Sequence, residues 1–237
     1  MYYGGHYILL IIGAIITMIA QAKVKGAFNK YSKIRSYKGM TGAQVARHIL
    51  VENGLEDVGV SQVKGNLTDH YNPSTRIVNL SEVVYDSTSI AAIAVASHEC
   101  GHAIQHKENY SPMKFRSSLV PLANIGSKMG IPIIMLGWAL GLEFPLANGG
   151  YFSLATIGIW VFSLSILFQV VTLPVEFDAS ARALKILKND EILVDDEMGA
   201  AYKMLKAAAL TYVAAAASAV LQLLRLVLIN GDRKGRR

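Results

Sequence analysis

Two histidines and a glutamate stand close together in the stretch SHECGHAIQH, residues 97–106. His98 and His102 are four positions apart, so on a helix both imidazoles project from one face and can bind one metal ion. Glu99 follows the first histidine and can take a proton from a water molecule that zinc activates. The spacing therefore predicts a zinc site with its own general base, and hydrolysis as its chemistry. The alternative is a helix whose core histidines are satisfied by hydrogen bonds.

The helix that carries this motif is predicted to be buried. Residues 90–97, IAAIAVAS, are apolar on every face, and Ser87 to Ser89 can provide the N-cap. Buried histidine and glutamate side chains cost free energy unless they have partners, and a zinc ion would be one. Cys100, the single cysteine of the chain, points away from the histidine face and is interpreted as a small core residue.

A catalytic zinc ion usually has three protein ligands, so a third one is needed. His106 continues the row, but one straight helix cannot easily place three ligands around a metal. The metzincin pattern requires glycine and histidine where this chain has Gln105 and Glu108. The intramembrane protease pattern requires a later Asp-Gly ligand, and NGD at 230–232 has the wrong order.

A downstream candidate lies in PVEFDASARAL, residues 174–184. Glu176 is the first charged residue after a long apolar run, and a glutamate on a second helix would complete a His-His-Glu site. A glutamate that ends a membrane helix at the interface is the alternative reading. Asp178 is a second possible ligand, and the residues alone leave the choice open.

The composition indicates a membrane protein, because 52% of the 237 residues are hydrophobic and only 17% are charged. Residues 1–22 carry no formal charge, and six basic residues follow between Lys23 and Lys38. Positive charge favours the cytoplasm, so we predict an uncleaved anchor at 1–22 with an external N-terminus, rather than a cleaved signal peptide. The basic segments are expected to contact anionic lipid and not nucleic acid, since no nucleic-acid-binding motif accompanies them.

More apolar segments follow the anchor. We predict membrane helices at 119–146 and 151–175, with NGG at 148–150 as the turn between them. A further apolar helix at 207–229 either spans the membrane or packs on the soluble domain. It contains Arg225, and a fourth span would place the basic C-terminus outside. Residues 23–116 and 174–206 form the predicted soluble domain.

The soluble domain is predicted to combine helices with a small sheet. Residues 41–54 are typical of a helix with Thr41 as N-cap and Gly54 as its stop. Residues 58–63, 66–71 and 76–80 are typical of strands, and NPST at 72–75 of a turn. An exposed strand edge could pair with an extended substrate. The candidate residues for this role are Arg76, Ile77, Val78, Asn79 and Leu80.

Residues 72–106, followed by LPVEFDASARAL at 173–184, resemble the YugP-type bacterial membrane zinc metallopeptidases, relatives of HtpX and the CAAX-prenyl proteases. The resemblance covers most of the chain. It implies a mainly α membrane protein with a zincin-like (gluzincin) α+β catalytic domain, a small β-sheet and three or four membrane helices. In the related group the second motif is Glu-x-x-x-Asp and its glutamate binds zinc.

The resemblance therefore implies that His98, His102 and Glu176 bind one zinc ion per chain and that Glu99 is the base. Ser180 stands where the related group has aspartate, which puts the supporting role of that aspartate in question here. The implied reaction is hydrolysis of peptide bonds in membrane proteins or membrane-associated peptides.

The charge asymmetry places the predicted active site on the cytoplasmic side of the bacterial cytoplasmic membrane. A non-proteolytic zinc-binding membrane scaffold or regulatory protein is the alternative function. The donor that would stabilise the oxyanion is left open among four residues: His70, Tyr71, Arg182 and Tyr202.

Overall fold

The computed structural model describes residues 4–145 and 151–234. Its elements are α1 Gly4–Tyr31, α2 Gly42–Glu52, β1 Gly59–Val63, β2 His70–Asn72, β3 Ile77–Ser81, α3 Glu82–Tyr85, α4 Ile90–Lys107, α5 Ser111–Leu140, β4 Glu143–Pro145, β5 Tyr151–Ser153, α6 Leu154–Asn189 and α7 Asp195–Lys234. Four of the helices, α1, α5, α6 and α7, are long and apolar enough to cross a membrane. The prediction of a mainly α membrane protein with a small sheet is confirmed.

The chain divides into two compact units. The apolar unit consists of Met1–Ile19, Phe115–Thr172 and Tyr212–Arg237, and the mixed unit of Ala20–Lys114 and Leu173–Thr211. The apolar unit thus takes the first part of α1, most of α5, the first half of α6 and the end of α7. The mixed unit holds the sheet and the helix with the histidine motif.

In the apolar unit, α7 packs antiparallel on α1. A Cβ atom at Gly13 would lie 2.7 Å from the hydroxyl oxygen of Ser218, so the two helices approach closely there. Further along, the guanidinium of Arg225 lies over the ring of Tyr7, 4.8 Å from its centroid. From residue 212 onward the last apolar helix therefore belongs with the other apolar helices. The ring of Tyr7 gives Arg225 a favourable neighbour inside an apolar segment.

Glycines allow α5 to approach α6 within the apolar unit. A Cβ atom at Gly126 would lie 2.7 Å from the carbonyl oxygen of Val161. A Cβ atom at Gly130 would lie 2.6 Å from the Cβ of Phe162. Small residues at such positions bring two backbones together, which is the usual way in which membrane helices gain packing contacts.

The helix boundaries predicted at 146 and 151 are wrong. α5 ends at Leu140, where Gly141 has a φ of 62° and so terminates the helix with a left-handed residue. Residues 143–145 and 151–153 then pair as an antiparallel hairpin, with Phe144 opposite Phe152. Helix α6 begins only after this hairpin. The turn predicted at 148–150 lies outside the described residues.

The sheet of the mixed unit has the strand order β1-β3-β2. β3 pairs with β1 in parallel and with β2 in antiparallel orientation. The exposed strand edge predicted at Arg76, Ile77, Val78, Asn79 and Leu80 is wrong, because Ile77–Ser81 is the central strand. Arg76 lies in the preceding turn with a φ of 55°. β1 pairs with β3 over its whole length and β2 pairs with residues 77–79, so these strands occupy most of the backbone groups with which a substrate would pair.

In the mixed unit, the cap, the helix stop and the turn that the sequence predicted are present. Thr41 and Gln44 form a capping box at the start of α2, and Gly54 has a φ of 62° just after its end. The side chain of Asn72 accepts hydrogen bonds from the amides of Ser74 and Thr75, which builds the predicted turn. The strand predicted at 66–71 is confined to His70–Asn72.

Helix α4 forms the centre of the mixed unit. Ser89 caps it by accepting a hydrogen bond from the amide of Ala92 at 3.2 Å, and every residue from Ile90 to Gln105 except Val95 is buried. A Cβ atom at Gly101 would lie 2.6 Å from the carbonyl oxygen of Ala179, so α6 passes directly against the motif. The apolar character of α4 on every face is thus explained by neighbours on all sides.

The end of α1 is also part of this core. The helix continues beyond the anchor predicted at 1–22 as far as Tyr31, which is buried. Val24 and Phe28 pack against the same core cluster. Lys23, Lys25 and Lys30, which follow the apolar segment, therefore lie on the same continuous helix.

Candidate metal centre

Helices α4 and α6 bring together the three ligands that the sequence and the resemblance predicted. Each of three residues offers one potential ligand atom, and these atoms lie within 4.8 Å of one another: His98, His102 and Glu176. Oε2 of Glu176 is 3.2 Å from Nε2 of His98 and 3.6 Å from Nε2 of His102. Glu176 is only 2% exposed. Two imidazole nitrogens and one carboxylate oxygen that converge in this way fit the donor set of a catalytic zinc ion.

The second nitrogen of each imidazole is held by another side chain. Nδ1 of His98 is 3.1 Å from the hydroxyl oxygen of Ser180, and Nδ1 of His102 is 3.0 Å from Oε1 of Gln105. Such partners orient the ring of a metal-binding histidine so that Nε2 faces the ion. Ser180, which stands where the related group has aspartate, therefore contacts the imidazole of His98. Sequence reasoning missed Gln105, although its spacing of three from His102 places it on the same helix face.

Glu99 is not one of the three grouped residues, and its carboxylate contacts the sheet. Its Oε2 accepts a hydrogen bond of 3.0 Å from the backbone amide of Tyr71, in β2. Nearby, Asp69 accepts a hydrogen bond of 2.7 Å from the backbone amide of Ser81. Burial raises the pKa of Asp69, the hydrogen bonds from Ser81 oppose this, and the negative charge of Glu99 adds to it. The hydrogen bond from Tyr71 in β2 thus fixes the orientation of the Glu99 carboxylate.

The electrostatics of the cluster favour a cation. Burial acts to lower the pKa of His102, but the hydrogen bond with Glu176 and the charges of Glu99 and Glu176 outweigh it. The pKa of His102 is therefore raised, which means that the surroundings attract positive charge to this imidazole. A divalent metal ion would supply that charge at the point where the three ligand atoms converge.

Cys100 is not part of this cluster. Its thiol lies 3.6 Å from the backbone oxygen of Ala46 and is fully buried. Burial raises its pKa, and the negative charge of Glu99 adds to the shift, so the thiolate form that binds metals is disfavoured. This environment is that of a small core residue.

The other sequence candidates have different partners. Nδ1 of His106 is 2.9 Å from the hydroxyl of Tyr71. Asp178 accepts hydrogen bonds from Gln105 and from Arg182. Neither His106 nor Asp178 belongs to the three-residue group. Tyr71 and Arg182, two of the residues considered for the oxyanion, are thus already engaged by other side chains.

The chain matches a protein family over nearly its whole length. Residues 6–231 fit the model of a family described as "Putative neutral zinc metallopeptidase". The chain belongs to this zinc metallopeptidase family. It is also 46% identical over 224 residues to "Putative membrane protease YugP" of Bacillus subtilis (strain 168), covering 94% of this chain and 96% of the relative. No solved structure gives a significant match.

Membership of the zinc metallopeptidase family agrees with the chemistry of the cluster. The resemblance to YugP-type proteins that the motifs predicted is confirmed. The family points to zinc as the metal, and His98, His102 and Glu176 are the group that could hold it.

Replacing Ser180 by alanine tests whether its hydroxyl orients a ligand. We expect Ser180→Ala to weaken zinc binding about 10–100-fold, because Nδ1 of His98 loses its partner. The measurement is competition for zinc with a chromogenic chelator in detergent solution. Ser97→Ala is the matched control, since that buried hydroxyl bonds only the carbonyl of Ile93 on its own helix at 2.8 Å. Unchanged affinity in Ser180→Ala would contradict the orienting role.

Proposed function

We propose that this protein is a zinc-dependent membrane endopeptidase. His98, His102 and Glu176 would hold one zinc ion per chain, and Glu99 would be the general base. The observation that carries the proposal is the convergence of two Nε2 atoms and a buried carboxylate on one point, one helix position away from Glu99. When bound, zinc supplies Lewis acidity that activates a water molecule and polarises a peptide carbonyl.

The role of Glu99 follows from how its carboxylate is held. The amide of Tyr71 holds Oε2, so Oε1 is the oxygen that would take a proton from the attacking water. The water oxygen then bonds to the carbonyl carbon as its proton moves to Glu99. When the peptide C–N bond breaks, Glu99 gives the proton to the leaving amine nitrogen.

We further propose that the substrates are membrane proteins or membrane-associated peptides. Four apolar helices support this, and so does the Bacillus subtilis relative, which is described as a membrane protease. We place the active site on the cytoplasmic side of the bacterial cytoplasmic membrane. The basic residues between Lys23 and Lys38 favour the cytoplasm, and they belong to the same compact unit as the metal-binding group.

The first test is the zinc content of the purified protein. We expect about one zinc ion per wild-type chain and markedly less in Glu176→Ala, since the variant loses a buried ligand. Elemental analysis of detergent-purified protein gives both values. Glu52→Ala, which changes an exposed glutamate of α2, should keep the wild-type content. Equal zinc in Glu176→Ala would move the third ligand elsewhere, and absence of zinc from the wild type after zinc is supplied would refute the metal site.

The Glu99→Gln variant separates a protease from a zinc-binding scaffold. Glutamine keeps an oxygen to accept the hydrogen bond from Tyr71 but cannot take the proton, so we expect normal zinc content with a rate of peptide hydrolysis about 10²–10⁴-fold lower. Cleavage of fluorescently labelled casein by the detergent-purified protein is the assay. Hydrolysis at the wild-type rate in Glu99→Gln would favour the scaffold role and a contaminating activity.

Reporter fusions after Lys38 and after Ile229 test the orientation in the membrane. His6 and Asp232 are linked at 2.9 Å, so the beginning of α1 and the end of α7 lie at the same end of the apolar unit. We therefore expect a cytoplasmic location for the fusion after Lys38 and an external one for the fusion after Ile229. An external location of residue 38 would overturn the proposed side of the active site.

A further inference from the structure

Gln105 is a buried amide that touches one of the proposed zinc ligands. It lies on α4 one turn after His102, and its exposed fraction is 0%. Its side chain has three hydrogen-bond partners: Nδ1 of His102 at 3.0 Å, the backbone oxygen of Val175 at 2.8 Å and Oδ2 of Asp178 at 2.8 Å. Both N–H groups and the oxygen of this buried amide therefore have a partner, so none of them carries the cost of an unpaired buried polar group.

The chemistry of these partners determines which way the amide faces. The backbone oxygen of Val175 and the carboxylate of Asp178 can only accept hydrogen bonds, so the NH₂ group of Gln105 must point towards them. The amide oxygen then faces His102 and can only accept. Nδ1 of His102 must therefore be the donor, which leaves the lone pair of Nε2 directed at the point where the ligands converge.

We infer that Gln105 is a positioning residue that fixes His102 in the tautomer with the proton on Nδ1. The inference rests on the proposed zinc site and adds a residue to it. Asp178 accepts hydrogen bonds from both Gln105 and the Nε of Arg182. It therefore holds the amide of Gln105 in its orientation. The chain of contacts leads from a buried imidazole to two partly exposed side chains of α6.

The two histidines differ in this respect. The partner of His98 is the hydroxyl of Ser180, which can donate or accept by rotating, so it does not select a tautomer. The partner of His102 is an amide whose direction is locked by two acceptors on α6. His102 is thus the ligand that is preorganised before the metal arrives, and Gln105 is the residue responsible.

The experiment compares Gln105→Met with the wild-type full-length protein in detergent. Methionine has a similar volume but neither donates nor accepts in this position, so we expect zinc binding to weaken about 10–100-fold in chelator competition. Asp178→Ala is a second variant on a partly exposed side chain; it removes one of the two acceptors that hold the amide, and we expect a smaller loss. Ile93→Val, a packing change in the same buried helix, should lower the unfolding temperature and leave the zinc affinity unchanged.

A second readout needs no metal. In the zinc-free protein with ¹⁵N-labelled histidine, NMR at a pH alkaline enough to make His102 neutral should show its proton on Nδ1 in the wild type and shifted towards Nε2 in Gln105→Met. Unchanged zinc affinity together with an unchanged tautomer would overturn the inference. An equal loss of affinity in Ile93→Val would also overturn it, because general loosening of α4 would then explain the effect.

The failure of this inference can be told apart from failure of the proposed function. If the wild type binds no zinc, the metal site is refuted, while the tautomer of His102 still decides the role of Gln105. If Gln105→Met does not fold, Asp178→Ala, which removes the acceptor of one of the two Gln105 N–H groups, decides in its place. Weaker zinc binding or a changed tautomer in that variant supports the inference, and wild-type values in both measurements overturn it.

Discussion

The contact of one buried carboxylate with two imidazoles determines how α6 packs against α4 in the mixed unit. Moving an ionised glutamate out of water costs on the order of several kcal/mol unless opposite charge and hydrogen bonds compensate it. Glu176 is 2% exposed and meets His98 and His102, so α6 must lie directly against α4. Gly101 makes this possible, because any side chain there would meet the backbone of α6. The spacing of His98 and His102 and the packing of α6 on α4 are therefore linked through the same contact.

The same requirement explains the polar residues around the cluster. Nδ1 of each of these two histidines needs a partner, and α6 provides Ser180 while α4 provides Gln105. Gln105 in turn needs acceptors for its NH₂ group, and it finds both on α6. The interface of two largely apolar helices thus contains a connected polar layer. A layer in which every member is paired favours one register of the two helices over others.

Short-range features of this fold could be predicted from the sequence, and long-range ones could not. The spacing of His98 and His102 and the caps Thr41 and Ser89 depend on residues three or four positions apart. The position of β3 depends on its two neighbours in the sheet, so its alternating pattern could not distinguish a central strand from an edge. The hairpin after α5 was missed because largely apolar sequence fits both a membrane helix and a strand pair.

The candidate site shows the same division. The motif itself predicted two ligands and the base, but the residues alone left Glu176 and Asp178 as alternatives until the family resemblance favoured Glu176. Gln105 could not be assigned because its partners Val175 and Asp178 are 70 and 73 positions away. A glutamine on an apolar helix looks like a tolerated polar residue until the acceptors opposite it are known.

The order of the ligands along the chain has a consequence for biosynthesis. Glu176 follows His98 by 78 positions, and α5 and the hairpin lie between them. A ribosome makes the chain from its N-terminus, so a nascent protein that ends before α6 has two of the three proposed ligands. The complete cluster forms only when three of the four long apolar helices have been synthesised. On the proposed function, a chain that ends before α6 lacks one of the three residues of the metal centre and cannot hydrolyse peptide bonds through it.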